Sequence, residues 1–397
     1  MRSGVQVGVL VLMACGSVLL FLEMQWATIM ATSQTSESTT TSATKTSENT
    51  ASQTTAHSSS DTTPTTSPSS APSSASSCVA SFTPPSTLTV DDRISPIDYK
   101  AACDYHYGEL NQPPVAKMSR VKKLSELSLP TEPSVIFVDT TEMPSFLRNI
   151  VPYMQAPFVL VSGDSDESNP GSVTDQLDGF MNNPLLLHWY GMNCDSHKPS
   201  TKFSCIAMGL SQWSHQRDAM QKLYEEGKGL KNGVHLRERI DGTPIEVLCS
   251  FASAHAGRDV PYRICCDPSS PISQVSKCYR DYTALNVANI ESVMHELYQD
   301  VARSKFVFSP SGVGMDCYRT WEALYLGAFP IVLTSSLDEL YENLPVLIVK
   351  DWNDVTLELL SKTYQALRSR DNYSFSKLYN GYSYRKFRTH FGKCAEQ

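Results

Sequence analysis

What the chain has little of narrows its class. Basic residues are outnumbered, 33 Lys and Arg against 41 Asp and Glu, giving a formal charge of −8. No positive field exists to neutralise a nucleic-acid backbone, so nucleic acid is excluded as a partner, although a local basic pocket for one diphosphate is not. No Cys-x-x-Cys occurs among the 11 cysteines, and the Cys103/His106 and Cys194/His197 pairs fit no zinc-finger spacing. That pattern directs the cysteines to disulfides rather than to metal. Large apolar residues are nearly missing from Thr32–Thr87, and charge is missing altogether from the 19 residues Gly4–Leu22. The first absence leaves too little surface to bury against the entropy of ordering. The second leaves a run long enough for a membrane span.

Arg2 precedes the uncharged run and Glu23 follows it, which by the positive-inside bias predicts a type II signal-anchor. The alternative is a signal peptide cleaved near Ala31; both send the remainder into the secretory pathway. The expected organisation is a cytosolic tail at 1–3, a transmembrane helix at 4–22 and a Ser/Thr-rich stem at 23–87. Folded domains follow at 88–235 and 236–370, with a tail at 371–397 packed across them. Ser/Thr with scattered Pro behind an anchor reads as an O-glycosylated stalk. Cys15 lies in the apolar run, which leaves ten luminal cysteines; the adjacent Cys265 and Cys266 are expected to bridge to different partners, and Cys317 to stay a free thiol. Asn372-Tyr373-Ser374 is the only N-glycosylation sequon, so that turn is expected at the surface.

The first folded half carries the apolar runs Ser134–Asp139, Phe158–Ser162, Pro184–Trp189 and Phe203–Met208, with Glu142–Tyr153 and Gln216–Glu226 as helical stretches between or after them. Alternation of this kind predicts a parallel α/β sheet. Asp164-Ser165-Asp166 directly follows the second run. Two carboxylates one residue apart suit a solvated acidic turn, a catalytic or acceptor-side role, or chelation of a divalent metal. His188, placed at the end of the third run, is a candidate general base or a satisfied structural histidine.

Asn232–Glu246 reads as the connection, and Glu246–Phe251 as the first strand of the second half. Arg258, in the loop after it, is a phosphate candidate or a plain surface charge. Asn286–Ala302 and Asp354–Arg368 have helical spacing. Between them, Ser304–Lys350 reads as strand, glycine loop, helix, strand, short helix and strand. Lys305–Ser309 ends at Pro310-Ser311-Gly312-Val313-Gly314; a helix is expected from an Asp316 N-cap to Leu326, with Gly327 as its C′ residue and Pro330 beyond. Ile331–Leu333 and Val346–Val349 are runs suited to strands covered on both faces. Glycines before a helix suit an anion. Arg319 and Glu322, three apart on one helix face, suit a phosphate and a ribose diol, or simply pair with each other.

The string SPSGVGMDCYRTWEALYLGAFPIV, through Pro310, Gly312, Arg319, Glu322, Ala323, Leu324, Gly327, Pro330 and Ile331, resembles the donor-binding segment of exostosin-like glycosyltransferases. Where that family often has a basic residue after the proline, this chain has Ser311. The resemblance covers about an eighth of the chain. It implies an α/β protein of the GT-B type, with two Rossmann-type domains. The implied activity moves a sugar from a nucleoside diphosphate sugar, expected to be a UDP-sugar, to a glycan or glycoprotein hydroxyl on the Golgi membrane, by inversion and without a divalent metal. Ser309, Gly312, Gly314, Arg319 and Arg258 would then meet the diphosphate and Glu322 the ribose, with Asp164, Asp166 and His188 as base candidates. The alternatives are a non-catalytic glycan- or protein-binding relative, and a metal-dependent GT-A-like enzyme using Asp164 and Asp166.

Overall fold

Two parallel sheets organise the chain, and they share one topology. The first has six strands: β1 Tyr105–Tyr107, β2 Lys122–Lys123, β3 Ser134–Asp139, β4 Phe158–Gly163, β5 Leu186–Gly191 and β6 Phe203–Cys205. They run in the order β2-β1-β3-β4-β5-β6. The second has five: β7 Ile245–Cys249, β8 Ser276–Cys278, β9 Ser304–Phe308, β10 Phe329–Leu333 and β11 Leu347–Val349, in the order β11-β10-β9-β7-β8. In each sheet the first strand lies between the second and the third. The chain therefore reverses direction of growth once per sheet, between β1 and β3 and between β7 and β9. In open α/β sheets the crevice at the carboxyl ends of such a strand pair is where ligands bind.

This computed structural model describes residues 82, 89–108, 120–195, 201–226, 244–251, 255, 257–279 and 290–392, all within one compact unit. The expected cytosolic tail and signal-anchor, the stem apart from Phe82, and most of the connection at 232–246 lie outside the described residues. Among the described residues no helix is long and apolar enough to cross a membrane.

The central strands form where the sequence is continuously apolar. All six residues of β3 and of β4 are buried, paired in register from Ser134 with Phe158 to Asp139 with Gly163. A sheet covered on both faces asks for runs of this kind. The third run is displaced from its expected place. β5 starts at Leu186 and continues to Gly191, paired alongside β4 from Phe158 to Ser162, and the Trp189 indole donates to Ser162 Oγ at 2.7 Å. His188 is consequently inside the strand rather than at its end. The fourth run stops at Cys205, which is bridged to Cys194.

The helices are α1 Pro96–Ala101, α2 Met143–Asn149, α3 Leu177–Met181, α4 Ser214–Glu225, α5 Asp259–Cys266, α6 Ile290–Arg303, α7 Tyr318–Tyr325, α8 Asp338–Tyr341, α9 Leu357–Ser369 and α10 Asn380–Arg388. Two disulfides, Cys249–Cys265 and Cys266–Cys278, tie β7 to α5 and α5 to β8, so the adjacent cysteines do take different partners. Cys103 and Cys317 are free thiols.

α10 follows the second sheet in sequence and packs back on the first. The Phe387 ring lies 6.0 Å from that of Tyr99 and 4.9 Å from that of Tyr190, and Arg388 pairs with Asp104 at 2.9 Å. Buried Arg93 joins the same seam, its guanidinium 4.8–5.1 Å from the ring centroids of Tyr224, Tyr325 and Tyr379. Cation–π contacts of this kind gain most when desolvated.

Candidate functional site at the β7/β9 switch point

β7 ends at Cys249 and β9 at Phe308, side by side, and two arginines converge on the loops that follow them. Arg258 is buried; its Nε donates to Ser311 O at 2.6 Å. Arg319, in the first turn of α7, donates from Nε to Ser250 O at 2.9 Å, and its guanidinium carbon sits 5.6 Å from the Phe251 ring centroid. Both forks are thus steered by backbone carbonyls. Burial, and the Arg319 charge beside it, push the Arg258 guanidinium below its ordinary value. Two like charges at the carboxyl ends of β7 and β9 favour an anion between them.

Gly312 gives Arg258 its place. A Cβ there would lie 3.2 Å from an Arg258 Nη, so any side chain crowds the fork. The Gly312 N–H, expected to face a phosphate, instead donates to Gly314 O at 3.1 Å. Gly314 packs on Asn193, whose Nδ2 would stand 2.9 Å from an added Cβ. Ser309 is buried with its hydroxyl 2.8 Å from Thr320 Oγ1, which fastens the loop to α7. The glycines therefore act here through close approach, and the charge comes from the arginines.

The simple Arg319–Glu322 ion pair does not form. Glu322 is buried and Oε1 accepts from Tyr298 Oη at 2.7 Å. Burial raises its carboxyl above the ordinary range, against the opposing pull of Tyr298 and Arg319.

Asp316 has a different task from the one its position suggested. α7 starts at Tyr318, with Cys317 as N-cap and no side-chain cap bond. The Asp316 carboxylate accepts from Met208 N at 2.7 Å, Cys317 N at 2.7 Å and the Trp321 indole at 2.9 Å. Asp316 N in turn donates to Asn193 Oδ1 at 2.8 Å. Met208 and Asn193 follow β6 and β5, so this pair of contacts seats the glycine loop on the first sheet. Burial pushes the Asp316 carboxyl up to about 6. At the other end of α7 the chain turns as expected. Gly327 has φ +83°, and its N–H and that of Ala328 donate to Leu324 O and Ala323 O, closing a Schellman motif.

The first switch point gathers charge that the sequence left scattered. Asp139 ends β3, Asp164 follows β4 at φ 59°, and Lys100 of α1 lies between them, its Nζ 3.0 Å from Asp139 Oδ1 and 2.5 Å from Asp164 Oδ2. Buried His106 of β1 approaches Asp139 Oδ2 at 3.3 Å, and Gln212 donates to Asp164 Oδ1 at 2.8 Å. Asp164 has both oxygens engaged. Asp166 is exposed and makes no hydrogen bond or ion pair among the described residues. Both carboxylates lie within electrostatic reach of Tyr318, the first residue of α7, whose phenol is raised chiefly by burial and further by Asp164 and Asp166. The acidic turn therefore lies near the start of α7.

His188 stands apart from this. Its Nε2 is 2.9 Å from Ser204 Oγ, its ring stacks on His390 at 4.6 Å, and burial, with help from His390 and Lys386, pushes it down to about 3. It packs under the C-terminal segment rather than on the ligand edge. In the sequence Asp139 stands only as the end of an apolar run and His106 only beside Cys103, while nothing marks Lys100; nothing there brings the three together, because they sit on β3, β1 and α1.

Compared with protein-family models and with curated proteins, the chain matches none.

Proposed function

We propose that the chain is a glycosyltransferase of the GT-B type, exostosin-like in its donor segment, which uses a nucleoside diphosphate sugar, in the first instance a UDP-sugar. The observation that carries this reading is the Arg258–Arg319 pair at the β7/β9 switch point. Two guanidinium forks suit bidentate recognition of phosphate oxygens and supply the diphosphate's counter-charge from the chain itself, with no divalent metal assigned to it. Glu322, beyond Arg319 on the same helix, is the ribose residue. The acceptor is a hydroxyl of a glycan or glycoprotein, and the setting is the lumen behind an N-terminal anchor, in the Golgi.

In the reaction the acceptor oxygen forms a bond to the anomeric carbon as the bond from that carbon to the diphosphate breaks. The acceptor proton passes to a carboxylate, and the diphosphate keeps the electron pair against the two arginines. Stabilising that developing charge is the larger protein contribution. Asp166 is the base of choice, exposed and near Tyr318; Asp164, ion-paired to Lys100, positions the turn. His188 is set aside as base because it is enclosed away from this edge.

Asp166→Asn tests the assignment. It should lower kcat by about 10²–10⁴ and leave the affinity for the nucleoside diphosphate unchanged, measured by transfer assay and calorimetry on one preparation. Full activity in this variant would remove Asp166 from the mechanism.

A further inference from the structure

Beside α7, with Trp321 in its wall, lies a cavity of about 80 Å³. Its wall includes Tyr99 of α1, Trp321 of α7 and, from the C-terminal segment, Lys377, Ser383 and Lys386. No carboxylate lines it. Lys377 Nζ donates to Leu340 O at 3.0 Å and to Glu342 O. Lys386 makes no hydrogen bond or ion pair among the described residues, and the contact its Nζ does make is with the Tyr190 ring, 5.2 Å to the centroid. Of the titratable groups around it, Tyr99 and Tyr382 line the cavity, Tyr190 lies under Lys386, His188 and His390 both feel Lys386, and Glu342 is the acid that Lys377 feels. Leaving a cation out of water without a partner is costly. Lys386 carries that cost, and Lys377, held by two carbonyl oxygens, adds a second positive charge at the same cavity.

We propose that this cavity is a binding site for a small oxyanion, inorganic phosphate or sulfate, held between Lys377 and Lys386 with the Ser383 hydroxyl as a further donor. The electrostatics agree: burial lowers Lys386 below its ordinary value, and burial together with Lys386 brings Lys377 down to about 8, which an anion would reverse. At about 80 Å³ the space admits a tetrahedral anion. Trp321 lines the cavity and also donates to Asp316. A bound anion therefore braces the seam on which the glycine loop sits. The site does not depend on the glycosyltransferase reading.

The test is a titration of inorganic phosphate against the melting temperature of the full chain at constant ionic strength, balanced with chloride. It is run in the Arg319→Ala background so that phosphate drawn to the arginine pair does not enter the readout. A saturable rise is expected, roughly 3 °C at ten times Kd. Lys386→Met, added to that background, should abolish the rise and melt no lower in phosphate-free buffer, because it removes a desolvated charge while keeping the volume. A rise that never saturates and persists in Lys386→Met would mean solvent exclusion by a kosmotrope and overturn the site. A saturable rise unaffected by Lys386→Met would do the same. A sugar monophosphate acting through Lys386 as strongly as phosphate would overturn the assignment to a lone anion.

Discussion

Asp316 shows how one carboxylate acquires a role its neighbours in sequence do not suggest. An aspartate before a helix is ordinarily an N-cap, but here the carboxylate reaches across to Met208 N. Its pH signature follows from burial. With its folded value raised to about 6 and an ordinary unfolded value near ~3.9, the folded chain binds more protons between those limits. Asp316 therefore contributes most below about pH 4, and that contribution is lost as pH rises through about 6. Asp316→Asn should flatten this segment of the stability-versus-pH curve, read by urea unfolding at fixed pH steps. An unchanged slope between those values would refute the buried-carboxyl account.

Among elements, the loop from Pro310 to Cys317 connects sequence to chemistry. Gly314→Ala places a methyl carbon 2.9 Å from Asn193 Nδ2. The expected cost is about 1–3 kcal/mol, seen as a lower denaturant midpoint, because the loop must lift off the first sheet. A midpoint equal to wild type would mean that the seam is softer than described. The elements that could be read in the sequence were those with a long, uniform environment. β3 and β4, buried along their whole length, and α9, with its helical period, fall close to their expected bounds. β1, β2 and β8 did not show themselves, being two or three residues long without an apolar run. They are held by neighbours on the sheet rather than by their own pattern. Arg319 and Arg258 both stand out in the sequence, the first in the segment resembling a donor site and the second in the loop after β7, and their forks meet the neighbouring loops after β7 and β9. The Lys100–Asp139–Asp164 cluster does not, because its members come from α1, the end of β3 and the turn after β4, and only the fold brings them together.

For the molecule as a whole, the C-terminal segment crossing back to the first sheet makes the fold acid-sensitive. His188 is pushed down to about 3, and His390 is lowered by burial and Lys386. A base lowered on folding contributes stability that is full above its unfolded value, roughly 6.5, and is lost as pH falls towards the folded one. The chain should therefore lose stability from about pH 6.5 downwards. His188→Gln, able to keep a bond to Ser204, should reduce that loss in acid thermal melts. An acid slope identical to wild type would show that the histidine stack is not what the low pH disrupts.

The claim on which the account rests is that Arg258 and Arg319 hold a nucleoside diphosphate at the β7/β9 switch point. Calorimetric titration of UDP into the 397-residue chain in the presence of EDTA, beside Arg319→Ala and Arg319→Lys, addresses it directly. The account predicts binding without added metal and a loss of about 2 kcal/mol, roughly thirtyfold, in Arg319→Ala. Arg319→Lys should recover little of this, because an ammonium cannot reproduce the fork. Failure of any nucleoside diphosphate to bind, or binding indifferent to both substitutions, would contradict it.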